Sequence, residues 1–152
     1  MVEMRYTLRP AEQTDFEFLY RLKVECLRDY IEETWGWDEA FQRHYFTRGF
    51  DPARIQIVVV DTHDVGGLSI EDTGYELYLA GIYILPAWQN RGLGTAIIQD
   101  LLVHSGEVAK PIRLQVLKVN PARLLYERLG FEIYGETRTH YLMRAKDNNS
   151  VQ

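Results

Sequence analysis

Polar and apolar residues alternate over Met4 to Arg9, with Tyr6 and Leu8 set among charged or polar neighbours, and this period of two predicts a first strand. From Asp15 the period lengthens: Phe16, Leu19, Leu22, Val24, Cys26, Leu27 and Ile31 recur at largely helical spacing. A helix to about Glu32 is expected, with Thr14 as its N-cap. Glu33-Thr34-Trp35-Gly36-Trp37 interrupts the pattern, and Asp38 is placed to cap a second helix through Phe46. Two β-branched runs follow, Ile55 to Val60 and Val65 to Ile70, joined by Asp61-Thr62-His63-Asp64, which reads as a hairpin. Gly66-Gly67 inside the second run implies a bulge or a close backbone approach.

Glu76 through Leu85 is apolar nearly throughout, as in a strand covered on both faces. It leads through Pro86-Ala87-Trp88 to Gln89-Asn90-Arg91-Gly92-Leu93-Gly94-Thr95, after which Leu93, Ile97, Ile98, Leu101 and Leu102 set a helical period to near Ser105-Gly106 or a turn beyond. A buried strand that delivers a glycine-rich loop onto a helix N-terminus is an arrangement that binds anions. Gly92 and Gly94 lack the Cβ atoms that would hold an anion off the backbone, Thr95 adds a hydroxyl, and the Arg91 fork suits phosphate oxygens. Two other phosphate motifs are disfavoured: no Gly-Lys-Ser/Thr follows the glycines, and Ile97 stands where a dinucleotide fingerprint has its third glycine. Ile112 to Leu117 is the next strand, a helix runs from Pro121 to Gly130, and Phe131 to Glu136 with His140 to Arg144 closes the chain as an antiparallel pair. The element order is that of an α/β layered domain with a mixed sheet.

Gln89-x-x-Gly92-x-Gly94, following Ile82-Tyr83-Ile84-Leu85-Pro86, resembles the acetyl-coenzyme A signature of the GCN5-related N-acetyltransferase (GNAT) family. Asn120-Pro121-Ala122-Arg123-Leu124-Leu125-Tyr126-Glu127-Arg128-Leu129-Gly130-Phe131 is similar to that family's second coenzyme A segment, with its Leu-Tyr-x-x-Leu-Gly-Phe core. The resemblance implies a GNAT fold: a mixed central sheet of about six to seven strands with about four helices. Its strands would splay after positions 85 and 117 around an acetyl-coenzyme A cleft. Residues 1–146 would form one acetyltransferase domain and 147–152 a frayed tail.

The same resemblance assigns roles. Backbone groups of Ile82, Tyr83 and Ile84 would pair with the pantetheine arm, residues Gln89, Asn90, Arg91, Gly92, Leu93, Gly94 and Thr95 would cradle the pyrophosphate, and the amide of Ile84, within one residue, would polarise the acetyl carbonyl. Asn120 would touch the coenzyme, although relatives place that asparagine seven residues before the tyrosine and here the separation is six. Tyr126 would face the sulfur as general acid, against the plainer reading of a tyrosine that only packs. A tyrosine near pKa 10 and a thiol near 8.5 differ by about 2 kcal/mol, so a late proton transfer is feasible. For the base, Glu76 is the first candidate, with a solvated strand-edge carboxylate as the plain alternative; Glu33, His140 or a water relay follow. Glu33, Trp35 and Trp37 would line the acceptor site, or the two tryptophans plug the core beneath the turn. Phe41, Tyr45 and Phe46 read as core.

Composition narrows the function. The chain has 152 residues, 46% hydrophobic and 26% charged, within the range of one globular domain. Its formal charge of -5 argues against a nucleic-acid partner. The absence of a signal-like N-terminus or any long apolar run argues against a membrane and makes the cytoplasm the expected compartment. The lone cysteine, Cys26, excludes an internal disulfide and reads as a buried thiol, not a nucleophile; His63 reads as hairpin turn, and no metal is expected. With no Ser-His or Cys-His pair evident, the amine would attack the thioester directly in a ternary complex, as is usual in the family. A small-molecule amine is the favoured acceptor, a protein N-terminus or lysine the second, and a homodimer is compatible with the family. The alternative is a non-catalytic acyl-coenzyme A-binding or regulatory module.

Overall fold

The structure, a computed structural model, describes residues 5–146; Met4 and the expected tail 147–152 lie outside the described residues. These residues form two compact units, 5–69 with 81–93, and 70–80 with 94–146.

The first unit opens with β1 (Thr7–Pro10), three residues later than the alternation begins. The expected Thr14 cap is overturned. Thr14 lies inside a 3-10 turn, Gln13–Asp15, held by a reciprocal capping box between Glu12 and Asp15. Helix α1 (Phe16–Trp35) starts only after it and runs a turn past Glu32. Glu33, Thr34 and Trp35 are helical because nothing in their chemistry forbids it: the Thr34 hydroxyl donates to the Tyr30 carbonyl at 2.8 Å. The stop is Gly36, at φ 85°, a conformation open to a residue without Cβ. Asp38 then caps α2 (Glu39–Gly49) as expected, accepting from the Phe41 amide at 2.9 Å, and the helix extends past Phe46.

Strand β2 (Ile55–Val60) meets β3 (His63–Asp72) through a turn of only Asp61 and Thr62, at φ 48° and 69°. Both central residues are left-handed, the geometry that matches the twist of a tight hairpin, so His63 belongs to the strand. Val58 pairs with Gly66 and Val59 with Asp64, which leaves Val65 as the extra residue of a bulge. The close approach read from Gly66-Gly67 is also present. A Cβ on Gly66 would stand 2.4 Å from the Tyr83 carbonyl oxygen, and one on Gly67 2.9 Å from a Leu19 methyl.

The core of this unit gathers Ala11, Leu19, Leu22 and Ile57, with Phe18, Cys26, Phe46, Phe50 and Tyr83 packed against them. Phe16 sits 5.3 Å from Phe46 and 5.2 Å from Phe50, ring to ring. Phe46 therefore fits the core reading, whereas Phe41 and Tyr45 do not. Both are exposed and stack on each other on the outer side of α2, one turn apart.

Strand β4 (Leu77–Ile84) contributes residues 77–80 to the second unit. With them stand α3 (Leu93–Val108, from residue 94), β5 (Ile112–Leu117), α4 (Ala122–Arg128), β6 (Phe131–Glu136) and β7 (His140–Ala145). β4 pairs parallel to β5 from Leu77↔Ile112 to Leu79↔Leu114. β5 pairs antiparallel to β7 as far as Leu117↔His140, and β6 pairs antiparallel to β7. Leu77, Leu79, Ile112, Leu114, Phe131 and Met143 are buried. Tyr78 is only half-buried and Ala80 is exposed, so the expectation that β4 is covered on both faces fails for residues 77–80. They alternate, as in a half-buried strand, because one side of the pleat meets solvent.

Among the described residues the sheet has seven strands in the order β1-β2-β3-β4-β5-β7-β6, mixed in sense, with four α-helices. No helix among them is long and apolar enough to cross a membrane.

Candidate active site

In the first unit β4 ends at Ile84, and Leu85 still donates its amide to the Val65 carbonyl at 2.8 Å. Pro86–Trp88 forms a 3-10 turn, closed by Trp88 N–H to the Leu85 carbonyl at 2.8 Å. Asn90 at φ 62° and Gly92 at φ 84° then reverse the backbone, and α3 begins at Leu93. Beyond its chain neighbours, no atom of the described residues lies within 4 Å of where a Gly92 Cβ would stand. Leu93 is fully buried, so only its backbone is free to meet a ligand. The first turn of an α-helix presents amides with no intrahelical partner, the donors an anion needs.

The side chains of this loop are partly committed to the protein. The Gln89 side-chain amide donates to the Ile84 carbonyl at 2.8 Å, and the Cys26 thiol donates to the same oxygen at 3.2 Å. Burial pushes the Cys26 thiol up to about 11, which fits the inert reading of this cysteine. The Arg91 guanidinium lies 4.9 Å from the Trp88 ring centre, and the His63 ring packs on Trp88 at 6.1 Å. Ile82 and Tyr83 are half-buried, and the Tyr83 ring lies over Gly81, 2.7 Å from where a Cβ would be.

Also in this unit, Glu33 and Trp35 are exposed on the last turn of α1, and Trp37 is half-buried beyond it. Glu33 and Trp35 are two positions apart and so do not share a face. The core-plug reading fails for Trp35, 59% exposed, because the helix carries it past the packed segment. Trp37 instead donates its indole N–H to Glu39 at 2.9 Å, and Tyr20 donates its hydroxyl to the other Glu39 oxygen at 3.0 Å. Sequence reasoning missed Glu39 and Tyr20. The one signal available was the acidic residue following the Asp38 cap, which reads as ordinary helix chemistry.

In the second unit Tyr126 is buried on α4, its ring 5.8 Å from that of Phe131, and burial pushes its hydroxyl up to about 12. That hydroxyl has no hydrogen bond to another described residue, and no fully buried side-chain nitrogen or oxygen among them lacks a partner. Asn120 accepts from the Ala122 amide at 2.9 Å, an Asx turn that leads the chain over the Pro121 N-cap into α4 and turns its side-chain oxygen towards the backbone. Glu76 is ion-paired with Arg113, whose guanidinium lies 4.8 Å from the Tyr78 ring centre. His140 opens β7 with Nδ1 2.8 Å from the Thr139 hydroxyl, and burial holds its pKa below the usual histidine value.

The acetyltransferase (GNAT) domain model matches residues 52–133, more than half of the chain. The chain belongs to the GNAT acetyltransferase family. The match takes in both motif segments and the strand and helix between them. The chain is 33% identical over 67 residues to the cysteine-rich protein 2-binding protein of Homo sapiens, a match that covers 43% of this chain and 8% of that protein. The Mus musculus counterpart matches to the same extent, so the chain spans only a small part of the length of either.

Solved structures share the fold. The PaiA N-acetyltransferase of Thermoplasma acidophilum, solved in complex with coenzyme A, superposes with a TM-score of 0.75 at 14% identity, covering 95% of this chain and 100% of that one. The ribosomal-protein-S18-alanine N-acetyltransferase of Escherichia coli gives 0.65 at 19% identity, covering 95% and 98%. The Arabidopsis thaliana protein solved with the bisubstrate analogue CoA-Ac-MVNAL gives 0.62 at 15%, covering 93% and 99%.

Proposed function

We propose that this acetyltransferase moves an acetyl group from acetyl-coenzyme A to a primary amine by direct attack in a ternary complex. The observation that carries the reading is the turn between β4 and α3: Gly92 at φ 84°, with open space where its Cβ would be, immediately before a helix start. Backbone amides of Gly92, Leu93, Gly94 and Thr95 receive the pyrophosphate, with Arg91 leaving Trp88 to join it and Asn90 shaping the turn. Backbone groups of Ile82 and Tyr83 receive the pantetheine arm, and the Ile84 amide polarises the acetyl carbonyl.

Attack forms the new C–N bond, the C–S bond breaks, and Tyr126 gives its proton to the departing thiolate. The hydroxyl, raised to about 12, carries its proton through the whole working range, and with the thiol near 8.5 the transfer is about 5 kcal/mol uphill, so the proton moves only late, as the C–S bond breaks. For the amine proton His140 is favoured, since its lowered pKa leaves it neutral and able to accept at pH 7. Glu76, tied to Arg113, and Glu33, in solvent, are the remaining candidates.

A small amine remains the first acceptor class, with Trp35 and Trp37 for its lining; Glu33, on a different face of α1 from Trp35, is left out of that lining. A peptide N-terminus or lysine is the second reading, favoured by the exposure of Trp35, which suits an open acceptor surface better than a closed pocket. Calorimetric titration with acetyl-coenzyme A, followed by thiol release across amino acids, polyamines, aminoglycosides and peptides, tests both. Release with one acceptor class names the substrate. Binding without release turns the chain into an acyl-coenzyme A-binding module, and no binding removes the cradle.

A further inference from the structure

One backbone oxygen in the first unit receives two side chains from different elements. The Ile84 carbonyl, the last of β4, accepts from Gln89 Nε2 at 2.8 Å and from Cys26 Sγ at 3.2 Å, using both of its lone pairs. Gln89 comes from the loop five residues on, and Cys26 from the middle of α1. The neighbouring backbone is fixed as well, by Leu85 N–H on the Val65 carbonyl and by the 3-10 turn that follows.

We propose that Gln89 and Cys26 are positioning residues, which together fix the end of β4 relative to the glycine loop and set the line along which the acetyl donor lies. This rests on the proposed role of residues 82–84 as the pantetheine-binding strand. Gln89 stands at the head of the motif and would otherwise be taken as a phosphate ligand, but its NH2 group is turned back onto the strand. Its remaining oxygen is an acceptor and repels phosphate. Cys26 acts as a hydrogen-bond donor and not as a nucleophile, in keeping with its half-buried place against the core.

The positioning role predicts a different substrate dependence from a phosphate contact. A phosphate ligand matters only to a donor that carries phosphate, whereas a residue that sets the strand end matters to every donor lying along it. The test is steady-state kinetics with acetyl-coenzyme A and with S-acetylpantetheine, which has no phosphate, for wild type, Gln89→Ala, Cys26→Ala and Cys26→Ser, with thermal melting to confirm folding. A tenfold fall in kcat/KM corresponds to ~1.4 kcal/mol of lost transition-state stabilisation. Gln89→Ala is expected to show that fall with both donors. Cys26→Ala is expected to show a smaller fall with both, and Cys26→Ser, which keeps an O–H donor, to recover it. A fall with acetyl-coenzyme A alone in Gln89→Ala makes Gln89 a phosphate ligand and overturns the inference. Equal behaviour of Cys26→Ala and wild type removes Cys26 from it. If the wild type uses neither donor, it is the proposed acetyl transfer that fails.

Discussion

Trp37 donates its indole N–H to one oxygen of Glu39 at 2.9 Å, while the other oxygen accepts the Tyr20 hydroxyl at 3.0 Å. The Glu39 carboxylate thereby joins a buried residue of α1, the turn after it and the first residue of α2. A tryptophan proposed to line the acceptor site owes its orientation to a carboxylate that itself makes no claim on the chemistry.

Tyr20→Phe is expected to cost about 1 kcal/mol of stability in urea denaturation, because a buried hydroxyl is removed with its hydrogen bond and the exposed carboxylate rehydrates. The hydrogen bonds from Trp37 and then Tyr20 hold the Glu39 pKa below its usual 4.5. A depressed carboxylate contributes stability above that value and loses it as pH falls through the folded-state pKa. Trp37 emission, isolated by substituting the other two tryptophans, should stay constant from pH 7 to about 5 and change only below about 4.5. A transition nearer neutrality would mean that another group controls the indole.

Gly66→Ala should be among the most damaging single substitutions in the chain. Its methyl would meet the Tyr83 carbonyl oxygen at 2.4 Å, and backbone cannot rotate away as a side chain can. A cost of ~3 kcal/mol or more is expected by chemical denaturation. Gly106→Ala, in α3 with nothing within 4 Å, should instead stabilise by about 0.5–1 kcal/mol, and equal effects at the two sites would contradict the packing described for β3.

Gly92→Val is expected to abolish binding of acetyl-coenzyme A in calorimetry. Its side chain would fill the open space before α3, and an L-residue at φ 84° carries about 1–2 kcal/mol of strain. Gly94→Ala, whose Cβ would only touch a Leu125 methyl at 3.7 Å, should retain more affinity. Normal binding by Gly92→Val would remove the cradle from this loop.

Tyr126→Phe should lower kcat with the best acceptor by about 10- to 100-fold while leaving the donor affinity within a factor of about two. Because burial raises this hydroxyl to about 12, it stays protonated through the working range, so wild-type kcat should show no alkaline fall from this group below about pH 11. By the same shift the folded state holds its proton more tightly than the unfolded one, and the stability this gives is present below pH ~10 and lost as pH rises towards 12. Unchanged kcat in the variant would leave Tyr126 a packing residue.

The layered α/β order, the hairpin, the Gly66 close approach, the Asp38 cap and the glycine turn from β4 into α3 are legible in the pattern of residues alone. All but the Gly66 approach, whose partner Tyr83 stands on β4, rest on interactions within a few residues: a 2.0 or 3.6 period, a side chain capping its own helix, a glycine where φ is positive. Packing of one element on another settled which apolar residues are inside. Phe41, Tyr45 and Trp35 carry the pattern of a core and stand in solvent, because burial depends on which helix face another element covers. It also decided partnership across long separations. Cys26 meets Ile84, Glu39 meets Tyr20 and Arg113 meets Glu76 because folding brings distant backbone together, and no local spacing records such a pairing.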